Sequence, residues 1–273
     1  MRVIKGSAEI PFVFSAHHAS DDFGAYTDRC ALTDLQRKAY SDYGTSQTVP
    51  QNGIGAVEAT LSRGIVDLNR APADAQQFAQ YDFANPVNAI WKQGQQLSEA
   101  EKQQILQDYY ETFHGALTEL AESADSGVSI VVAWDNTAQK VIGNNEVGEP
   151  VVMPTIILSN QGDEELQSRA DGQQTTCDPQ LLKLIGDQLT NALAAADLPN
   201  DVHYNLVFKG KQIVASHTEW PNNPLRQSLQ IEYSSVLTHN QETLEELPGR
   251  INLVRSVAEH ALTQAFQQYR LLQ

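Results

Sequence analysis

Short apolar runs that each stop at a polar cluster set the strongest limit on how this chain can fold. Ile10–Ala16 (IPFVFSA), Val128–Trp134 (VSIVVAW) and Met153–Ser159 (MPTIILS) are continuous and rich in β-branched and aromatic residues, the pattern of strands buried on both faces. Ala56–Leu61 is a further strand-like run, Val202–Phe208 alternates, and in Ser228–Tyr233 (SLQIEY) Gln230 and Glu232 fall on one face at period two. Helical stretches lie between them. Thr33–Tyr43 has Thr33 as its N-cap, Gly44 as its stop, and Leu32, Leu35 and Ala39 on one face. Leu97–Ser123 opens on a Ser98–Glu101 capping box and carries a broad apolar stripe. Asp178 and Pro179 start another helix, and Arg250–Leu271 is the last. This interleaving predicts an α/β protein, one three-layer domain spanning residues 1–273. Ala73–Gln96, rich in Gln, Asn and Ala with no period, reads as an excursion over the surface.

Composition narrows the function. The chain has 273 residues, enough for a large core, and carries 34 acidic against 18 basic residues, a formal charge of −16. That field opposes binding of nucleic acid or of an anionic membrane. A small anionic substrate would therefore need local positive charge from arginines or a metal. The cysteines, Cys30 and Cys177, are far apart and form neither a disulfide framework nor a thiolate metal motif. With no long apolar segment at the start and no 18-residue apolar run, a cytoplasmic chain is expected.

Ligands of open α/β sheets gather outside the carboxyl ends of strands. The first strand ends at His17-His18-Ala19-Ser20-Asp21-Asp22, which reads either as a site or as a polar capping loop. The segment Ser62–Pro72 (SRGIVDLNRAP) sets Arg63 and Arg70 around an apolar pair, with Asn69 beside Arg70. Guanidiniums at a strand end match a carboxylate bidentately. The plainer alternative pairs them with Asp67 and Asp74 as surface ion pairs. His114, beside the apolar stripe of its helix, reads first as a packed structural residue.

In order and spacing, several short motifs between Pro11 and about Leu237 resemble the N-formylglutamate amidohydrolase family. They are His18-Ala19, Ser41-Asp42-Tyr43, Ser62–Pro72, Phe113-His114-x-x-Leu117, Thr176–Pro179, Phe208-Lys209-Gly210 with His217 beyond, and Gln230-Ile231-Glu232. The resemblance implies a three-layer α/β/α fold with a mixed central sheet, similar to zinc carboxypeptidases and aspartoacylases. It also implies hydrolysis of an N-acyl (N-formyl) amino acid at a divalent metal, usually zinc, with a carboxylate drawing the proton from water. By matching motif, His18 and Asp42 are expected as metal ligands, Glu232 and His217 as catalytic groups, and Arg63, Asn69, Arg70 and His114 as the contacts to a small carboxylated substrate.

One departure bears on the metal. Where the family has Asp-x-His-Ser after the second strand, this chain has Trp134-Asp135-Asn136-Thr137. Asp135 is expected as the replacement ligand, giving an oxygen-rich site, and Asp21 competes with Asp42 for second place. The alternative is a relative that binds a carboxylated metabolite without hydrolysing it.

Overall fold

The computed structural model describes residues 1–7, 10–82, 85–123, 127–144 and 150–272. In chain order its regular elements are β1 (Arg2–Ile4), β2 (Phe12–Ala16), α1 (Asp34–Tyr40), α2 (Thr45–Thr48), β3 (Gly55–Glu58), α3 (Glu99–Ile105), α4 (Glu111–Glu122) and β4 (Ser129–Thr137). There follow β5 (Val141–Asn144), β6 (Pro150–Val152), β7 (Ile156–Ser159), α5 (Pro179–Ala195), β8 (Val202–Tyr204), α6 (Gln212–Ser216), β9 (Arg226–Ser234) and α7 (Arg250–Leu272). Seven strands form one sheet in the order β1-β3-β2-β4-β9-β7-β8, while β5 and β6 make a separate hairpin. The strands β3, β2, β4 and β9 run parallel; β1 is antiparallel to β3, and β7 is antiparallel to β9 and parallel to β8. The expected mixed α/β sheet is therefore present.

Alternation along the central strands builds a core on each face. Ile130, Val132 and Trp134 of β4 join Leu229, Ile231 and Tyr233 of β9 in a core with the apolar sides of α5 and α7. Val131 and Ala133 face the other way, onto Phe113 and Leu117 of α4 and Ile213 and Val214 of α6. On that second face β9 contributes Gln230 and Glu232, so polar groups replace apolar ones where the site forms. Among the described residues no helix is long and apolar enough to cross a membrane.

Four local differences from the sequence reading have physical causes. The strand expected over Val202–Phe208 stops at Tyr204, because Asn205 takes a left-handed backbone (φ 48°) and its side-chain amide is held by Asn160 Oδ1 and the Asp163 carbonyl. The residues after it leave the sheet and become a wall of the site. The run Met153–Ser159 pairs only from Ile156, since Thr155 donates its amide to Asp201 Oδ2. Helix α1 is shorter than expected and exposes Leu35, while Leu32 and Tyr40 are buried. The long helix is interrupted by a π-helical turn, Leu106–Tyr110, between α3 and α4. The Ser98–Glu101 capping box and the Asp178 cap form as expected. Of the 73–96 excursion, residues 83 and 84 lie outside the described residues; the rest is turns and isolated bridges pinned by buried Ile90 and Trp91.

Candidate active site

The parallel strands β3, β2, β4 and β9 end at one edge, and a cleft of about 330 Å³ opens beside it. Strand register brings its floor together. Asp135 lies directly opposite Glu232, and Ala133 opposite Gln230, so Gln230, Glu232 and Asp135 share a face. Ser15 of β2 lies opposite Ala133. Two residues on, His17 falls level with Asp135 and meets it, Nε2 to Oδ2, at 3.1 Å. The Gln230 amide binds the acids together, donating to Glu232 Oε1 (2.7 Å) and Asp135 Oδ2 (3.2 Å).

His18 points its ring between three carboxylates. Its Nε2 lies 2.7 Å from Asp67 Oδ1, and its Nδ1 lies 3.2 Å from Asp42 Oδ2 and 3.5 Å from Asp135 Oδ1. Burial and the nearby Arg63 charge oppose protonation, but Asp67, Asp135 and Asp42 outweigh them and raise the His18 pKa well above its usual value. Burial resists ionisation of Asp67 too, yet Arg63 and His18 hold it well below the carboxylate range. Asp135 is likewise held down, with His17 and His18 overcoming burial. Glu232 goes the other way: burial, then Asp135 and Asp42, push it well above that range.

The Ser62–Pro72 loop supplies the cationic wall. Arg63 is buried over the Tyr40 ring and donates Nη2 to Asp67 Oδ2 at 2.7 Å; Arg70 lies 3.7 Å from the same oxygen and 3.8 Å from Asp74. The pairings of the plainer reading exist, but the Arg63–Asp67 pair is buried rather than a surface pair. Asn69 is oriented by its neighbour: Oδ1 accepts the Ile213 amide at 3.0 Å, which turns the side-chain NH₂ away from that contact. Arg169, Lys209 and Lys211 also line the cleft, so cations collect there in a chain of net charge −16.

The arrangement suits a divalent cation. His17, His18 and Asp135 offer three ligand atoms within 4.8 Å of one another, all buried. His17 Nδ1 faces the Ser15 carbonyl at 3.2 Å, which turns Nε2 to the Asp135 carboxylate. His17 Nε2 and Asp135 Oδ1 are both buried without a hydrogen-bond partner, as ligand atoms turned toward an ion would be. An imidazole fixed by a backbone carbonyl on its far nitrogen is a common metal-ligand arrangement.

The sequence matches the family model for N-formylglutamate amidohydrolase over residues 10–238. The chain belongs to that family. A crystal structure of N-formylglutamate amidohydrolase from Ralstonia eutropha JMP134 is similar to it, with 23% identity, 98% of each chain covered and a TM-score of 0.70. A gene product of Agrobacterium tumefaciens is similar at 17% identity, with 98% of this chain and 95% of that chain covered and a TM-score of 0.68. No curated protein matches the sequence.

For this N-formylglutamate amidohydrolase family member, the structure gathers His18, Asp42, Asp135, Glu232, Arg63, Asn69 and Arg70 around one cleft. It adds Asp67, to which the motif assigned no role, and sets His17 fully buried beneath the cleft against Asp135. Asp42 contacts His18, but the ligand trio has His17 in its place. Asp21 does not line the cleft, and neither do His114 and His217, which meet each other behind the Ser62–Pro72 loop. Asn136, at the position of the family histidine, points to the opposite face, where its amide bonds Tyr43 O, Thr45 Oγ1 and Tyr233 Oη. His17 stands two residues beyond Ser15, whose pairing with Ala133 brings it level with Asp135, a register no local pattern gives. The sign of Asp67 was available, since it lies four residues after Arg63 and three before Arg70.

Proposed function

We propose that this chain hydrolyses the amide of a small N-acyl amino acid, with N-formylglutamate as the reference substrate. The observation that carries the reading is the meeting, in one cleft, of a buried acid–amide pair (Glu232–Gln230), a histidine–carboxylate cluster and a guanidinium wall. His17, His18 and Asp135 would hold a divalent cation, zinc in the first instance. When bound, such a cation would polarise the amide carbonyl, acidify nearby water and lower the pKa of Glu232 toward a carboxylate.

The chain's own groups do the rest. Glu232 takes the proton from the attacking water and returns it to the departing amine, while Gln230 fixes Oε1 and leaves the second oxygen for transfer. Arg70 and the Asn69 NH₂ receive the α-carboxylate, and buried Arg63, locked on Asp67, keeps the local field positive. Lys209 and Lys211 suit a second carboxylate on the substrate.

Metal content and turnover test the reading together. The purified protein should take up about one zinc, cobalt, nickel or manganese ion, and His17→Ala and Asp135→Ala should lose it. Glu232→Gln should keep the metal while turnover falls ~10²–10⁴-fold. A protein that takes up none of these metals and cleaves no N-acyl amino acid is instead a carboxylate-binding relative.

A further inference from the structure

The loop that carries the proposed carboxylate grip is braced from outside the cleft. Three successive carbonyls of this loop are tied down: Leu68 O faces His114 Nε2 (3.0 Å), Asn69 O accepts the Gln212 amide (3.4 Å), and Arg70 O accepts the Tyr110 hydroxyl (3.0 Å). Upstream, Tyr109 Oη accepts the amides of Thr60 and Leu61 at 2.7 and 2.9 Å. Both tyrosines come from the π-helical turn.

His114 is itself set by a second imidazole. Its Nδ1 lies 3.0 Å from His217 Nε2, and the two rings lie edge to edge, with 4° between their planes and centroids 5.3 Å apart. A carbonyl can only accept, so Leu68 O requires the proton on His114 Nε2. The neutral ring's Nδ1 is then an acceptor and fixes the proton of His217 on Nε2, leaving His217 Nδ1 toward Thr118 Oγ1 at 3.4 Å. Every proton in this relay follows from one backbone oxygen.

We propose that His217 and His114 are positioning residues: their hydrogen-bonded pair, with Tyr110, holds residues 67–70 so that Arg70 and the Asn69 NH₂ are presented to the substrate carboxylate. The role rests on the reading of Arg70 and Asn69 as the grip. His217 acts through His114 and touches no substrate, so its loss weakens binding in the ground state and the transition state alike.

The test uses the full chain with its metal. In His217→Phe, which keeps a flat ring but cannot donate, KM for N-formylglutamate should rise about tenfold while kcat stays within about threefold, the signature of lost uniform binding. His217→Gln, which restores a donor, should return KM toward the wild-type value. His114→Leu, which removes the donor to Leu68 O, should repeat the His217→Phe pattern.

Amide exchange gives a readout that needs no activity. The Asn69 and Arg70 amides are bonded to Asp67 Oδ1 and Asp67 O, so in His217→Phe they should exchange about tenfold faster while Val131 and Val132 of β4 stay unchanged. A collapse of kcat with KM unmoved would place His217 in the chemistry and overturn the proposal. Unchanged exchange at Asn69 and Arg70 would overturn it too. A wild-type protein inactive on every N-acyl amino acid refutes the proposed function, while the exchange result still decides the brace.

Discussion

His18 Nε2 and Asp67 Oδ1 are 2.7 Å apart, and this contact joins the end of β2 to the arginine loop that follows β3. The other oxygen of Asp67 receives Arg63 at 2.7 Å, so one buried carboxylate serves a histidine and a guanidinium at once. Removing its charge leaves both cations without their shared partner.

Asp67→Asn should therefore lower stability by about 3 kcal/mol, since stripping one partner from a buried pair exposes the cost of burying the other. The check is urea unfolding at pH 7. A midpoint equal to wild type would show that Asp67 is not the counter-charge of this cluster.

Acid should loosen the protein through the His114–His217 pair. Burial, with the neighbouring ring adding for His217, depresses both pKa values to about 4, whereas an unfolded histidine titrates near 6.5. Between those values the unfolded chain binds more protons than the folded one, so the pair's contribution is complete above about pH 6.5 and falls as pH drops toward about 4. Unfolding midpoints from pH 7 to 4.5 should show this slope, reduced in the His114→Gln/His217→Gln double variant.

Arg70→Ala should raise KM for an N-acyl amino acid at least tenfold with a smaller change in kcat, because the carboxylate is held before and during reaction. Arg70→Lys should recover only part of the loss, as an ammonium cannot make the bidentate contact. Full recovery by lysine would show that charge alone is read.

Metal uptake should release protons. His18 stands protonated among three carboxylates and Glu232 is pushed toward its neutral form, so a divalent cation entering the cluster displaces at least about one proton at pH 7. Titration calorimetry in buffers of different ionisation enthalpy measures it. Identical heats in all buffers would count against the ligand assignment.

The sheet was legible because its central strands are apolar runs with clear ends, and the arginine loop because its motif is dense. Short pairings were not. β1 and the β5–β6 hairpin lack apolar runs long enough to stand out, and β8 ends on the conformation of a single asparagine, Asn205. In the site, Glu232 and Asp135 were readable from strand ends and motif order. His17 was obscured by its neighbour: of two adjacent histidines, the resemblance points to His18, while strand phase puts His17 on the face of Asp135. His114 and His217 were found as residues of interest, but which side of the loop they occupy depends on how α4 and α6 pack, which no local pattern encodes.

The π-helical turn at Leu106–Tyr110 also divides the long helix into two phases. One extra residue rotates everything beyond it by about 100° relative to a continuous α-helix. Upstream, α3 is therefore oriented for its cap and the outer loop, and downstream α4 is oriented for the sheet. Deleting one residue within 106–110 would restore an unbroken spiral at the expense of this offset, so the helix tolerates sequence change on either side of the turn far better than a change in length across it.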